Sequence, residues 1–537
     1  MPINEKELMD EIKDLYSVLN IKSFGAKGDG VTDDTAAFIA ARNEVIRLIS
    51  NFPQNPGARR GNIKLYIPAG TYIVKAGKAL MNDSVSPTTM GFSVVGDGRM
   101  ISRIIFDPPG TNQYLFYNRD GWNQMHISDI EFFSTKITNH FFYSYSTGRS
   151  HNMEIERCHF GGKWGYGFHL EGTNTNSEMT WYRCGFSGEW VKALYIPATA
   201  SDQFVNYDFI SCQFEVSKGD FIDVQKGGSI NVIGGSLLYY PTTQQGLGGT
   251  FFKLGVGGGD HNGGAMRFIC VGARVELTTP DSKLVQSEWK SGIITFLNIE
   301  CGSQSFQSDK NLVSASFNSG GDSYPNIVFD NCNLQGRHEY KYTFASFQRL
   351  ENIAYRNCLI TQHAHPEQFI SLVNTSGFND GGVPQISFQK CSGLAGTSQS
   401  KHIFDTELNW SRTTSGTAFK KIVSINTANN ALPYNKYPTE DVFIPLGAII
   451  TKVSIFIPPG SIKASYPGWN YTVSTSEANP TVLASANPVQ GDTKKGFNTQ
   501  QETFFVCDTD EKRHIVLTAS SGVNEIKKGY CMIEYMG

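Results

Sequence analysis

Residues 151–160 read HNMEIERCHF, residues 177–186 SEMTWYRCGF and residues 205–214 VNYDFISCQF. Five and three places before each cysteine stand apolar side chains: Met153 and Ile155, Met179 and Trp181, Tyr207 and Phe209. The places between them are mostly polar: Glu154 and Glu156, Thr180 and Tyr182, Asp208. A period of two with one apolar face predicts a strand. The pattern returns in IVFDNCNL (327–334), IAYRNCLI (353–360) and ISFQKCSG (386–393). The cysteines at 158, 184, 212, 270, 301, 332, 358 and 391 are spaced 26, 28, 58, 31, 31, 26 and 33 apart. A repeat near 30 residues is the mark of a solenoid. A second short strand precedes each of these by 8–15 residues, as in GFHLEG, KALYIPA, DFIDVQK and TFFKLGV. Stacked coils of two or three short strands form parallel sheets. The expected fold is all-β: a right-handed parallel β-helix, since parallel crossovers are right-handed.

Composition agrees. The 537 residues include 54 glycines, 12% aromatic and 18% charged side chains. The net charge is −3, so no basic field exists to hold nucleic acid. No run of 18 apolar residues predicts a membrane span, and the N-terminus does not read as a signal peptide. The cysteines read as small buried hydrophobes stacked at one corner. They lack the paired spacing of a metal cluster, and no metal or other cofactor is expected. The Cys301 coil fits the pattern poorly, because Asn298 falls in an apolar column.

Residues 5–20 read as a short helix with a seam of Leu8, Ile12, Leu15 and Leu19. That seam needs a partner, in its own chain or in other copies of it. A second helix is expected from Thr35 to Ile49, capped by Thr32, Asp33 or Asp34. Gly25, Gly28 and Gly30 form a tight loop before it, but no Lys-Ser/Thr pair follows to bind phosphate. Beyond residue 428 the period gives way to short strands with frequent turns, the signature of a β-sandwich. The expected division is 1–20, a helical anchoring and trimerising segment; 21–125, a cap and first coils; 126–428, the β-helix; and 429–537, the sandwich.

The opening FGAKGDGVTDDTAAF, followed by LYIPAGTYIV and VVGDG, resembles the pectate-lyase-like β-helix superfamily. With the short helical start, long β-helix and terminal sandwich ending GYCMIEYMG, the chain is similar to bacteriophage tailspike depolymerases. The resemblance implies a homotrimer on the virion tail, attached directly or through another tail protein by its N-terminus. It implies binding and cleavage of a bacterial surface polysaccharide, capsule or O-antigen. The motif itself is structural and carries no catalytic residue.

Glycosidic hydrolysis needs two carboxylates. In a solenoid, outward positions on neighbouring coils lie about 4.8 Å apart. Just after the corner, Glu215 and Glu276 are expected in one outward column two coils apart, with Gln213 and Arg274 beside them. They are the first catalytic candidates. Asp208 on the strand before the corner, near Tyr182, and Asp223 on the other strand, near His169, Glu171, Tyr195 and Lys253, are the next. Trp190, Tyr195 and Tyr239 are candidates for sugar stacking. Ordinary exposure accounts equally for Arg274 and Glu276 and better for the Asp208 and Asp223 columns, and core packing accounts equally for the aromatics. Elimination by a lyase, using His169, Lys253, Tyr195 or Arg274, and a non-catalytic adhesin are the alternatives.

Overall fold

In the computed structural model the described residues are 18–51, 63–82 and 89–394, less short stretches between strands, and beyond them the strands of 401–536. The chain divides into two units near residue 340. In the first unit, parallel strands stack coil on coil into three faces, as a parallel β-helix requires.

The first face includes Trp122–Ser128, Ser150–Glu156, Asn176–Tyr182, Asn206–Ile210, Gly228–Ile233 and Met266–Val271. A one-residue corner follows each strand. Asp129, Arg157, Arg183, Ser211, Asn298 and Asn331 all take a left-handed backbone there, with φ between 49° and 60°. The next residue turns inward. Six of the eight predicted cysteines, Cys158, Cys184, Cys212, Cys332, Cys358 and Cys391, hold that place, each directly after a left-handed residue. Several of their thiols donate to a carbonyl one coil back, as Cys184 does to Ile155 at 3.3 Å. Gly235 and Ala273 take the place on two coils, as the spacing predicts.

The other two cysteines are a correction to the single-column reading. Cys270 lies mid-strand beside Val232 and Phe296, and Cys301 pairs with Val275 beyond the corner. Asn298 is itself the left-handed corner, which is why it stood in an apolar column.

The second face contains Glu131–Ser134, Ser236–Tyr239, Arg274–Leu277 and the first halves of three long strands: His159–Gly172, Gly185–Ile196 and Gln213–Val224. Its inward column stacks Phe132 on Phe160 (5.6 Å) and Phe160 on Phe186 (5.0 Å). Such ring pairs add about 0.5–1.5 kcal/mol each to the burial itself. Within the long strands the chain bends onto the third face. Gly188 marks that bend at φ 91°, where a Cβ would lie 1.9 Å from the Gly162 carbonyl oxygen, so only glycine fits.

The third face comprises Gln113–Asn118, Asn139–Ser146, the second halves of the long strands, Thr250–Leu254 and Lys283–Ser287.

The N-terminal expectations meet a mixed outcome. Residues 1–17 lie outside the described residues, and Leu19 belongs to a strand, Val18–Asn20, paired with Ile63–Ile67. The second helix spans Thr35–Asn51. Buried Asp34 precedes it and accepts from the backbone N–H groups of Lys27 (2.6 Å) and Gly28 (3.3 Å), so the glycine loop is tied to the helix start.

In the second unit, Ile386–Leu394 pairs antiparallel with Lys401–Leu408. Ala418–Ile425 pairs antiparallel with Gly529–Met536, so it belongs to the C-terminal sheets and not to the coils that were expected to run to 428. Two four-stranded antiparallel sheets follow.

Candidate functional site

The third face does not keep a strict period of two. In each coil two consecutive residues point inward, flanked by two that point away from the core: YLFY (114–117), HFFY (140–143), YGFH (166–169), KALY (192–195), DFID (220–223) and TFFK (250–253). The inward neighbours diverge. Phe141 meets Phe160 of the second face at 4.9 Å, whereas Phe142 meets Trp122 of the first at 6.2 Å. Phe251 and Phe252 likewise reach Tyr239 and Phe268.

The flanking residues stack in register. One column runs Tyr117, Tyr143, His169, Tyr195, Asp223, Lys253 and Gln286. The other includes Tyr114 beside His140, and Tyr166, Lys192 and Asp220 in sequence. The columns change character along the axis, from aromatic to charged.

At the aromatic end, Tyr117 stacks on Tyr143 at 4.7 Å and Tyr114 on His140 at 4.5 Å. A cleft of about 390 Å³ opens here, lined by Lys78, Asn112, Gln113, Tyr114, Tyr117, Tyr143, His169 and Glu171. That volume lies within the range of small-molecule sites. Tyr143 donates its hydroxyl to Glu171 Oε1 at 2.6 Å, and His169 Nε2 stands 3.7 Å from Glu171 Oε2. His169 and Tyr143 together hold the Glu171 carboxyl below its usual range. Tyr114 and His169 Nδ1 share a hydrogen bond of 3.0 Å. Burial, assisted by His169, lowers His140 to about 4.

At the charged end, Lys192 Nζ pairs with Asp223 Oδ2 at 2.7 Å and Lys253 Nζ with Asp220 Oδ2 at 2.8 Å. Asp220 Oδ1 also accepts from the Thr250 N–H at 2.9 Å. Asp223 is 3% exposed, and its Oδ1 has no hydrogen-bond partner among the described residues. Burial raises its affinity for a proton, against the opposing pull of Lys192. A buried carboxyl with one unpaired oxygen is a candidate proton donor.

The other predicted residues sort as follows. Glu215 and Glu276 do share one outward column of the second face, with Leu238 between them. Glu276 is ion-paired with Arg274 on its own strand, and Arg274 is 67% exposed. Gln213 is exposed in the neighbouring column with Ser236 and Arg274. Asp208 lies on the first face and accepts from Asn231 Nδ2 at 2.6 Å; Tyr182 lies one column away. Tyr195, His169 and Glu171 are half-buried on the third face, where they were expected. Trp190 and Tyr239 are corrections. Both are enclosed in the core, Trp190 donating to the Ser187 carbonyl and Tyr239 to that of Gly219, so neither ring can meet a sugar.

Residues missed from the sequence are Asp220, Lys192, Tyr114, Tyr117, His140, Tyr143 and Tyr166. The signal was present in the recurring four-residue frame with two inward residues at its centre.

The comparisons add the following. Residues 18–179 match the family described as rhamnogalacturonase A/epimerase, pectate lyase-like. The pre-neck appendage protein of Bacillus phage phi29 is 32% identical over 115 residues, which is 21% of this chain and 10% of that protein. This chain therefore spans about a tenth of the length of the curated relatives it matches. Among solved structures, the enzymatically active domain of tailspike protein 4 from bacteriophage CBA120 aligns at a TM-score of 0.46 and 12% identity, over 97% of this chain and 68% of that one. The surface adhesin PfbA of Streptococcus pneumoniae aligns at 0.31 and 11%, over 73% and 95%.

Proposed function

We propose that this chain is a phage tailspike-type protein that binds a bacterial surface polysaccharide along the third face and hydrolyses its glycosidic bonds. The observation that carries this reading is the ladder itself: aromatic coils running in register into an aspartate pair whose inner member is buried with an unbonded oxygen. Ring faces spaced coil by coil suit a polymer too long to enter a pocket. Asp223, holding a proton, would deliver it to the leaving glycosidic oxygen. Asp220, on the same strand, would serve as the second carboxylate, acting on the anomeric carbon or on the attacking water. Glu215 and Glu276 remain the competing pair. Their backbones are separated by about 9.6 Å, twice the strand spacing.

Homotrimerisation and attachment to the tail through the N-terminus belong to the same proposal. Similarity to a pre-neck appendage protein over 115 residues supports the association with a phage tail.

Elimination is a second reading, favoured by His169 standing between Tyr114 and Glu171 as an imidazole base needs. Incubation with a panel of capsular and O-antigen polysaccharides tests these readings together. New reducing ends without unsaturated sugar are expected. Unsaturated product would favour elimination, and binding without any product would favour an adhesin. Light scattering that returns a 59.3 kDa monomer would refute the trimer.

A further inference from the structure

Which members of the ladder a bound polymer would touch is set by depth. In both ion pairs of the charged end the lysine is the outer partner. The Lys192 side chain is 17% exposed against 4% for Asp223, and Lys253 is 27% exposed against 12% for Asp220. The carboxylates lie beneath their ammonium groups. Lys192 Nζ also stands 3.7 Å from the centre of the Tyr195 ring.

The same combination recurs at the aromatic end. Lys78 Nζ lies 4.1 Å over the Tyr117 ring within the cleft wall. The one carboxylate of that wall, Glu171, is already engaged by Tyr143, His169 and Thr199. A ligand on this face therefore meets aromatic rings and ammonium groups, in a chain whose overall charge is −3.

Resting on the polysaccharide reading above, we infer that the polymer is anionic: its repeat carries an oxyanion, a carboxylate or a phosphate, that pairs with Lys78 and Lys192 while the sugar rings stack on Tyr117, Tyr143 and Tyr195. The pairing at Lys192 has a chemical consequence. A substrate oxyanion competes with Asp223 for the same ammonium group. When Lys192 turns to the substrate, the outer cover of Asp223 moves aside, and the carboxyl loses the neighbour that favours its anion. Asp223 then takes up a proton from solvent and presents it to the glycosidic oxygen. The lysine acts as a positioning residue, and a neutral polymer would leave the ion pair closed.

The test uses the full chain and a panel of anionic and neutral bacterial polysaccharides, read by binding and by reducing ends. Each anionic polymer that is bound is also offered after reduction of its carboxylates to alcohols, or after removal of its phosphates, which separates the two sources of charge. Expected are cleavage confined to anionic polymers and affinity falling with added salt. Loss of the charge should weaken binding roughly fivefold or more, as one half-buried ion pair would. Lys78→Gln and Lys192→Gln should weaken binding of the native polymer and leave that of the neutralised polymer unchanged. A neutral polymer cleaved as fast as any anionic one, or a neutralised polymer bound as tightly as its parent, overturns the inference and leaves the polysaccharide reading standing. Failure to bind any polymer, charged or neutral, removes the reading beneath it.

Discussion

Two faces of one solenoid each carry a pair of carboxylates, one pair stacked in a column and the other set on a single strand, and treat them in opposite ways. On the second face Glu215 and Glu276 stand in one column, with an aliphatic residue between them and an exposed arginine on Glu276. On the third face Asp220 and Asp223 lie under lysines, and Asp223 has an oxygen with no hydrogen-bond partner among the described residues. A shared column alone therefore does not make a carboxylate a candidate for reaction. Desolvation does, because it changes the relative free energy of the charged and protonated forms.

The largest expected effect separates the faces directly. Asp223→Asn should lower turnover about 100- to 10,000-fold, the usual range for removing a general acid, with polymer affinity kept or raised, since Lys192 loses its competing partner. Glu215→Gln and Glu276→Gln should change turnover by no more than about twofold, as for carboxylates on an outward column whose one recorded ion pair, to Arg274, is largely solvated. The opposite pattern would move the reacting centre to the second face, as the sequence alone suggested.

Within the third face, Tyr143→Ala removes a cleft wall and the donor to Glu171. Polymer affinity measured calorimetrically should fall by about tenfold, or ~1.4 kcal/mol. An unchanged affinity would place the polymer elsewhere.

Stability against pH gives a third handle. The folded-state proton affinity of Asp223 is raised above the ordinary 3.8, so between that value and its folded pKa the native state binds more protons than the unfolded chain. Its contribution is present at low pH and is lost as pH rises through that window. Denaturant unfolding of wild type and Asp223→Asn should show the wild type losing ground to the variant as pH rises from 4 towards neutrality. A difference that moves the other way would mean that the bond to Lys192 outweighs burial.

The smallest effect belongs to the second face. Arg274→Ala should shift unfolding free energy by less than about 1 kcal/mol, since its partner lies at the surface. A larger loss would show that the Glu276 column is more than a solvated pair.

The sequence made the coils legible because the corner leaves a local mark: a left-handed residue, then a small inward one, as at Arg157–Cys158 and Asn331–Cys332. Period-two alternation then located the first face and the start of the second. It failed on the third face, where strands such as Asp220-Phe221-Ile222-Asp223 bury two neighbouring residues, and where Phe141 and Phe142 turn to different walls of the core. Read with strict alternation, Asp220 and Asp223 fall on opposite sides of the strand, and so do Lys192 and Tyr195. Trp190 lies just past the Gly188 bend, where spacing does not tell an interior ring from an exposed one; Tyr239, two places after inward Leu237, was legible from alternation and was misread. Cys301 was one coil in which the small inward residue, Ile299, was not small.

The thiol column has a consequence for the life of the molecule outside the compartment that makes it. Among the described residues eight cysteines are free and buried; enclosure pushes Cys158 up to about 12 and Cys184 well above an ordinary thiol, while a hydrogen bond from Cys184 lowers Cys212. Only the thiolate reacts readily with oxidants, alkylating agents or disulfides. Transfer from a reducing to an oxidising medium should therefore leave the sulfurs of Cys158 and Cys184 unreacted while they stay enclosed. Durability in air would come from the geometry of the corners, coil by coil, and not from covalent staples.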